Sequence, residues 1–123
     1  MHKKLMYIYN MKQNSQLYKG SLTTIILKLL NEQDKMYGYE LTKKVKELSN
    51  GEINITEGAL YPALHKLEAD GMLEVQMEDV GNRKRKYYSL TKQGKKETKF
   101  KLDEVEAFIK QLQQILNLKP TIA

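Results

Sequence analysis

The chain has 123 residues, the size of one domain, of which 41% are hydrophobic and 29% charged. No apolar run approaches the about 20 residues of a membrane-spanning helix, and no long apolar leader opens the chain, so a cytoplasmic protein with no membrane partner is expected. Cysteine is absent, which excludes a disulfide scaffold, a thiolate zinc site and a cysteine nucleophile.

Net charge is +6, from 21 Lys and Arg against 15 Asp and Glu, and it is unevenly spread. Residues 83–101 hold nine bases and one acid, Glu97, whereas residues 21–82 hold eleven acids and six bases. Concentrated positive charge beside an acidic body suggests a polyanionic partner. A solvated lysine-rich face is the alternative, and charge alone leaves both open.

Residues 1–16 read as an N-terminal extension: Met1–Tyr9 has no clear period, Met11 is an alternative start, and the polar residues 12–19 are expected to fray or to become helical only on docking. Ser21 reads as the N-cap of a first helix ending near Gln33, with Leu22, Ile25, Ile26, Leu29 and Leu30 on one face. Gly38 interrupts the pattern. Leu41, Val45 and Leu48 then mark a short second helix stopped by Asn50-Gly51, and Ile53 and Ile55 alternate with polar residues as in a very short strand. Thr56 caps a third helix, with Leu60, Leu64 and Leu67 inward, Pro62 near its start and Asp70-Gly71 at its end.

Leu73, Val75 and Met77 alternate with polar residues, as do Lys86, Tyr88 and Leu90; turn residues at 79–82 join the two into a β-hairpin. Thr91 caps a last helix from Lys92 to about Asn117, roughly 39 Å long. Val105, Phe108, Leu112 and Ile115 form its apolar stripe, Leu102, Ile109 and Leu116 widen it, and Pro120 closes the element. A domain this small cannot fully bury that stripe, so these seven residues are the expected dimer interface.

The order predicts an α+β, mostly helical fold. A winged helix-turn-helix of three helices and a β-hairpin wing spans residues 17–91, followed by a long dimerisation helix at 92–117 and a tail at 118–123. A helix fits the DNA major groove, and a two-stranded ribbon can lie along the adjacent backbone.

On the third helix, Gly58, Ala59, Pro62, His65, Lys66 and Ala69 face outward, with Thr56 and Tyr61 beside them. The small residues permit close approach to a groove, and His65 and Lys66 can donate to bases or phosphates. Glu57, Glu68 and Asp70 outnumber Lys66, so this helix taken alone reads as a plain solvated face; it would supply fit while the charge lies elsewhere. The wing carries that charge. Asn82 opens the run Arg83, Lys84, Arg85, Lys86, and strand alternation places Arg83 and Arg85 with Tyr87, Lys84 and Lys86 with Tyr88. At a projecting turn all four can meet phosphates, and arginine also suits an A·T-rich minor groove. Edge protection is the alternative, but four cations in a row exceed what it needs.

Tyr37 and Tyr39, near the start of the second helix, can pack their rings at the core rim and offer hydroxyls to phosphates; for Tyr61 core packing fits better. Lys92, Lys95, Lys96, Lys99 and Lys101 oppose the dipole of the last helix, so they either extend a phosphate footprint or only solubilise the surface. Catalysis, metal and cofactor are not expected. The two histidines, His2 and His65, lack ligand spacing, and no phosphate loop or nucleophile motif occurs. A protein- or RNA-binding winged helix remains the alternative function, since fold does not fix function.

Three stretches, Tyr37-Gly38-Tyr39-Glu40-Leu41, Thr56 to Gly71 (TEGALYPALHKLEADG) and Arg83 to Gly94 (RKRKYYSLTKQG), together with the lead-in Lys19-Gly20-Ser21-Leu22, resemble the PadR-like transcriptional regulators. The resemblance covers roughly residues 17–116, and its single short C-terminal helix is similar to the smaller subfamily. It implies a homodimeric repressor of double-stranded DNA at a palindromic operator, often relieved by a small aromatic or cationic effector. It implies a recognition helix at residues 57–70, a wing at 72–90, and a dimer interface made by the first and last helices. Some members stack flat drugs on a Trp of the last helix; this chain has no Trp, and Phe100 and Phe108 are the only aromatics there.

Overall fold

The computed structural model describes residues 16–119. Its elements are α1 (Gln16–Glu32), β1 (Met36–Tyr37), α2 (Gly38–Leu48), α3 (Glu57–Ala69), β2 (Leu73–Val80), β3 (Arg83–Leu90) and α4 (Lys92–Ile115). The three strands form one antiparallel sheet in the order β1-β3-β2. This is the expected α+β, mostly helical arrangement: a winged helix-turn-helix with a long C-terminal helix. The expectations for residues 1–15, and for Pro120 and the end of the tail, lie outside the described residues.

The helical spacing sets the core. Leu22, Ile26, Leu29 and Leu30 of α1 are buried against Leu41 and Val45 of α2, Leu60, Leu64 and Leu67 of α3, and Leu73, Tyr88 and Leu90 of the sheet. Each such side chain contributes about 1.5–3 kcal/mol by leaving water. Leu48 departs from its expected inward place and is exposed, because α2 ends there.

Three expectations of local structure are corrected. α1 begins at Gln16, so Ser21 is an exposed interior residue and not the cap. Once a helix is nucleated, each added residue gains a bond, and residues 16–20 extend it. Ile53 and Ile55 form no strand. Their segment is held by the Ile53 N–H donating to Ser49 Oγ at 2.9 Å and the Asn54 side chain donating to the Gly51 carbonyl at 3.2 Å, while Ile55 drops into the core. The sheet edge comes instead from Met36–Tyr37, paired as Met36↔Tyr88 and Tyr37↔Tyr87. Met77 is exposed and Glu78 half-buried, so the inward alternation of β2 lapses beyond Val75, where the ribbon leaves the body.

The hairpin closes on two residues. Gly81, at φ 64°, and Asn82 lie between the paired Val80 and Arg83, the arrangement of a type II′ turn with glycine first.

At the root of the wing, the Thr91 hydroxyl accepts the Gly94 N–H at 3.0 Å and donates to the Gly71 carbonyl at 2.6 Å. Gly94 is buried so closely that a Cβ there would stand 2.1 Å from the Met72 carbonyl oxygen. The buried Thr98 hydroxyl donates to the Gly94 carbonyl at 2.8 Å. Beyond this anchor α4 contacts α1 and runs on for a total of about 36 Å. It stops at Asn117, in the left-handed region at φ 56°. There the Leu118 N–H bonds the Gln113 carbonyl and the Asn117 N–H bonds that of Gln114, so the stop precedes Pro120.

Candidate nucleic-acid interface

α3 is set by its cap and its leucines. The Ala59 N–H donates to Thr56 Oγ1 at 3.2 Å, and Leu60 and Leu64 fix its inward face. Thr56, Gly58, Pro62, His65 and Lys66 are exposed, as the periodicity predicts. Ala59 is corrected: next to the buried Leu60, it is half-buried and packs on the core. Tyr61 is not simply a core residue. It is 37% exposed, its ring lies 6.4 Å from that of His65, and its hydroxyl rests against Gly38. A Cβ on Gly38 would come 2.6 Å from that oxygen, so the glycine read as a break in the pattern permits a close approach of α2 and α3. Lys66 lies 3.6 Å from Asp70, an exposed pair worth little that leaves the ammonium accessible.

The wing cations are not equivalent, which corrects the expectation that all four project alike. Asn82, Arg83 and Lys84 are exposed at the tip, whereas Arg85, Lys86 and Tyr87 are half-buried. The Arg85 guanidinium lies 4.0 Å from the centre of the Tyr37 ring, and Lys86 Nζ 5.3 Å from that of Tyr88. For Arg85 the cause is β1, which pairs with β3 and brings the Tyr37 ring to the wing, whereas Lys86 and Tyr88 are same-face neighbours on β3 itself. Tyr37 stacks on Tyr39 at 6.3 Å and meets Tyr87 edge-on at 5.5 Å; Lys35 lies 4.9 Å over Tyr87 and pairs with Glu78. A hydrogen bond to the Tyr87 side chain, outweighing partial desolvation and helped by Tyr37 and Glu40, holds Arg85 above the ordinary arginine range.

One cleft of about 280 Å³ joins these parts, lined by Tyr37, Gly38, Tyr61, Arg83, Lys84, Arg85, Lys86 and Tyr88. The start of α2, Tyr61 of α3 and the wing cations therefore meet at one cleft, which Gly58, Pro62, His65 and Lys66 do not line. Two lysines absent from the expected site lie on the neighbouring helix: Lys43 and Lys46 are exposed on α2 and line a depression with Tyr39 and Thr42. Their spacing from the inward Leu41 and Val45 already places them outside, so periodicity could have found them. Lys92, Lys95, Lys96 and Lys99 are exposed at the start of α4, and Lys101 lies 3.5 Å from Glu104. Among the described residues no group of His, Cys, Asp or Glu could hold a metal ion.

Away from this surface, Val105, Phe108, Ile109, Ile115 and Leu116 are exposed on α4, Phe108 at 53% and Ile115 at 76%, with Leu102 and Leu112 half-buried. Leu102, Val105, Ile109, Leu112 and Leu116 recur at the alternating three- and four-residue spacing of a helix seam. Leu102 also closes an apolar groove of about 330 Å³ lined by Ile25, Leu29, Val45, Leu48 and Ile53.

A capped helix beside a basic two-stranded wing, on one three-stranded sheet, defines the winged helix-turn-helix class. Residues 26–99 match the Transcriptional regulator PadR-like family, and the chain belongs to it. It is a family of transcriptional regulators, not of enzymes. The chain is 39% identical over 62 residues to Transcriptional regulator Rv3488 of Mycobacterium tuberculosis, which covers 50% of this chain and 55% of that one. A transcriptional regulator from Clostridium thermocellum matches with a TM-score of 0.75 and 33% identity over 81% of this chain and 94% of its own. Bacillus subtilis PadR in complex with operator DNA matches with a TM-score of 0.60 and 30% identity over 66% of this chain and 46% of its own. The chain thus spans about half the length of the mycobacterial and Bacillus proteins. No described helix is long and apolar enough to cross a membrane.

Proposed function

We propose that the chain is a homodimeric repressor that binds double-stranded DNA at a palindromic operator in the cytoplasm and is released by a small aromatic or cationic effector. The observation that carries this is the shared cleft, in which Tyr61 of α3 and the wing cations line one surface. A groove-sized helix with a small outward face and a ribbon tipped by Arg83 and Lys84 are complementary to a major groove and its flanking phosphates. The complex of Bacillus subtilis PadR with operator DNA supports the same partner.

In this reading residues 17–91 form the DNA-binding unit and residues 92–117 the dimerisation helix. The stripe of Leu102, Val105, Phe108, Ile109, Leu112, Ile115 and Leu116 meets its counterpart in the partner, burying apolar surface that one chain leaves in water. The effector acts at or near that interface, where Phe100 and Phe108 are the only aromatic side chains on α4.

Footprinting on the region upstream of its own gene tests the proposal. The protected site is expected to show dyad symmetry, with half-site centres about 34 Å apart or a multiple of it, and to bind more tightly than a scrambled duplex. Equal binding of both duplexes would favour an RNA- or protein-binding role instead.

A further inference from the structure

Arg85 sits where sequence reasoning places a phosphate contact, yet its surroundings are those of a strut. Its guanidinium covers the Tyr37 ring at 4.0 Å, and Tyr37 stands edge-on to Tyr87, its partner across the β1-β3 ladder. The carboxylate opposite Arg85 in the β2-β3 ladder, Glu78, is taken by Lys35, which also covers Tyr87. Lys35, Tyr87, Tyr37 and Arg85 thus interlock as two cations over two rings. Tyr37 also precedes the first turn of α2, where its N–H donates to Glu40 Oε1 at 3.1 Å. The chain of contacts therefore runs from the wing through Arg85 and Tyr37 into α2, and from Gly38 to Tyr61 on α3.

We propose that Arg85 is a positioning residue: stacked on Tyr37, it fixes the angle between the wing and α3 and leaves the exposed Arg83 and Lys84 to meet phosphates. A planar guanidinium suits this role, since it can lie flat on the Tyr37 ring at 4.0 Å, whereas an ammonium meets a ring only as a point charge. β1 is only two residues long, too short to hold the hairpin by its ladder alone. The ring-and-cation interlock supplies the missing constraint.

The DNA half of the test rests on the proposed function; the other half does not. Amide hydrogen exchange on the free protein is measured for the wild type, Arg85→Ala, Arg85→Lys, Tyr37→Leu and the Arg85→Ala/Tyr37→Leu double variant, with Arg83→Ala as reference. Arg85→Ala and Tyr37→Leu are each expected to speed exchange at the β1-β3 pairing about two- to fivefold, the scale of an exposed cation–ring contact. The double variant should be no faster than the faster single one. Arg85→Lys keeps the charge but not the flat stack and should fall between Arg85→Ala and the wild type, and Arg83→Ala should match the wild type. In operator binding, Arg85→Ala should lower affinity with the salt slope unchanged, whereas Arg83→Ala should reduce the slope by about one unit. Wild-type exchange in Arg85→Ala, or a slope reduced as in Arg83→Ala and restored by Arg85→Lys, would overturn the proposal. If the wild type binds no duplex, the exchange data still decide the strut, and it is the functional reading that fails.

Discussion

α3 and the wing face each other across one cleft and are built in opposite ways. α3 presents Gly58, Pro62 and His65, a face with little bulk and little charge, mounted on three buried leucines and a threonine cap. The wing presents Arg83 and Lys84 on a two-residue turn, far from any core, steadied at its base by tyrosines. A smooth face on a rigid mount favours shape fit to a groove, and a charged tip on a thin ribbon favours contact with phosphates of any sequence. In the proposed function the pairing would divide discrimination from affinity between two elements.

The largest effect should come from removing the mount. Leu64 is fully buried, so Leu64→Ala should cost about 2–5 kcal/mol in denaturant unfolding and weaken both elements together. Next, Phe108→Ala with Leu112→Ala strips the exposed stripe of α4 without touching the cleft. Sedimentation should shift toward monomer, with operator affinity lost through the missing second half-site while chemical stability falls less than for Leu64→Ala. Persistent dimer at low micromolar concentration would show that another surface holds the pair. Gly94→Ala strikes the root of the wing, where the new carbon meets a backbone carbonyl; about 1–3 kcal/mol of stability should be lost. Thr56→Ala removes the α3 cap alone and should cost about 1 kcal/mol, seen as faster amide exchange at Ala59 with the wing unaffected.

The mount was legible in the sequence because it obeys simple periods. Leu60, Leu64 and Leu67 repeat at helical spacing, Thr56 and Thr91 sit where caps belong, and both hold their expected hydrogen bonds. The organisation of the cleft was not, because it depends on pairing between distant segments. Tyr37 and Arg85 are 48 positions apart, and nothing local announces that a two-residue strand will bring them together. For the same reason Met36-Tyr37 carried no strand signal, whereas Ile53 and Ile55 alternated like a strand and found no neighbour to pair with. Gly38 and Gly94 were visible as glycines, but the Tyr61 hydroxyl and the Met72 carbonyl that require them belong to other elements.

The division of labour is tested most directly by one set of titrations. Affinity for the operator and for a scrambled duplex is measured over a range of salt concentration for the wild type, for Arg83→Ala with Lys84→Ala, and for His65→Ala with Lys66→Ala. The wing pair should weaken both duplexes alike and lower the salt slope by about two units. The α3 pair should reduce operator affinity more than scrambled affinity, narrowing the ratio between them. An unchanged slope in the wing pair, or parallel losses on both duplexes in the α3 pair, would contradict the account.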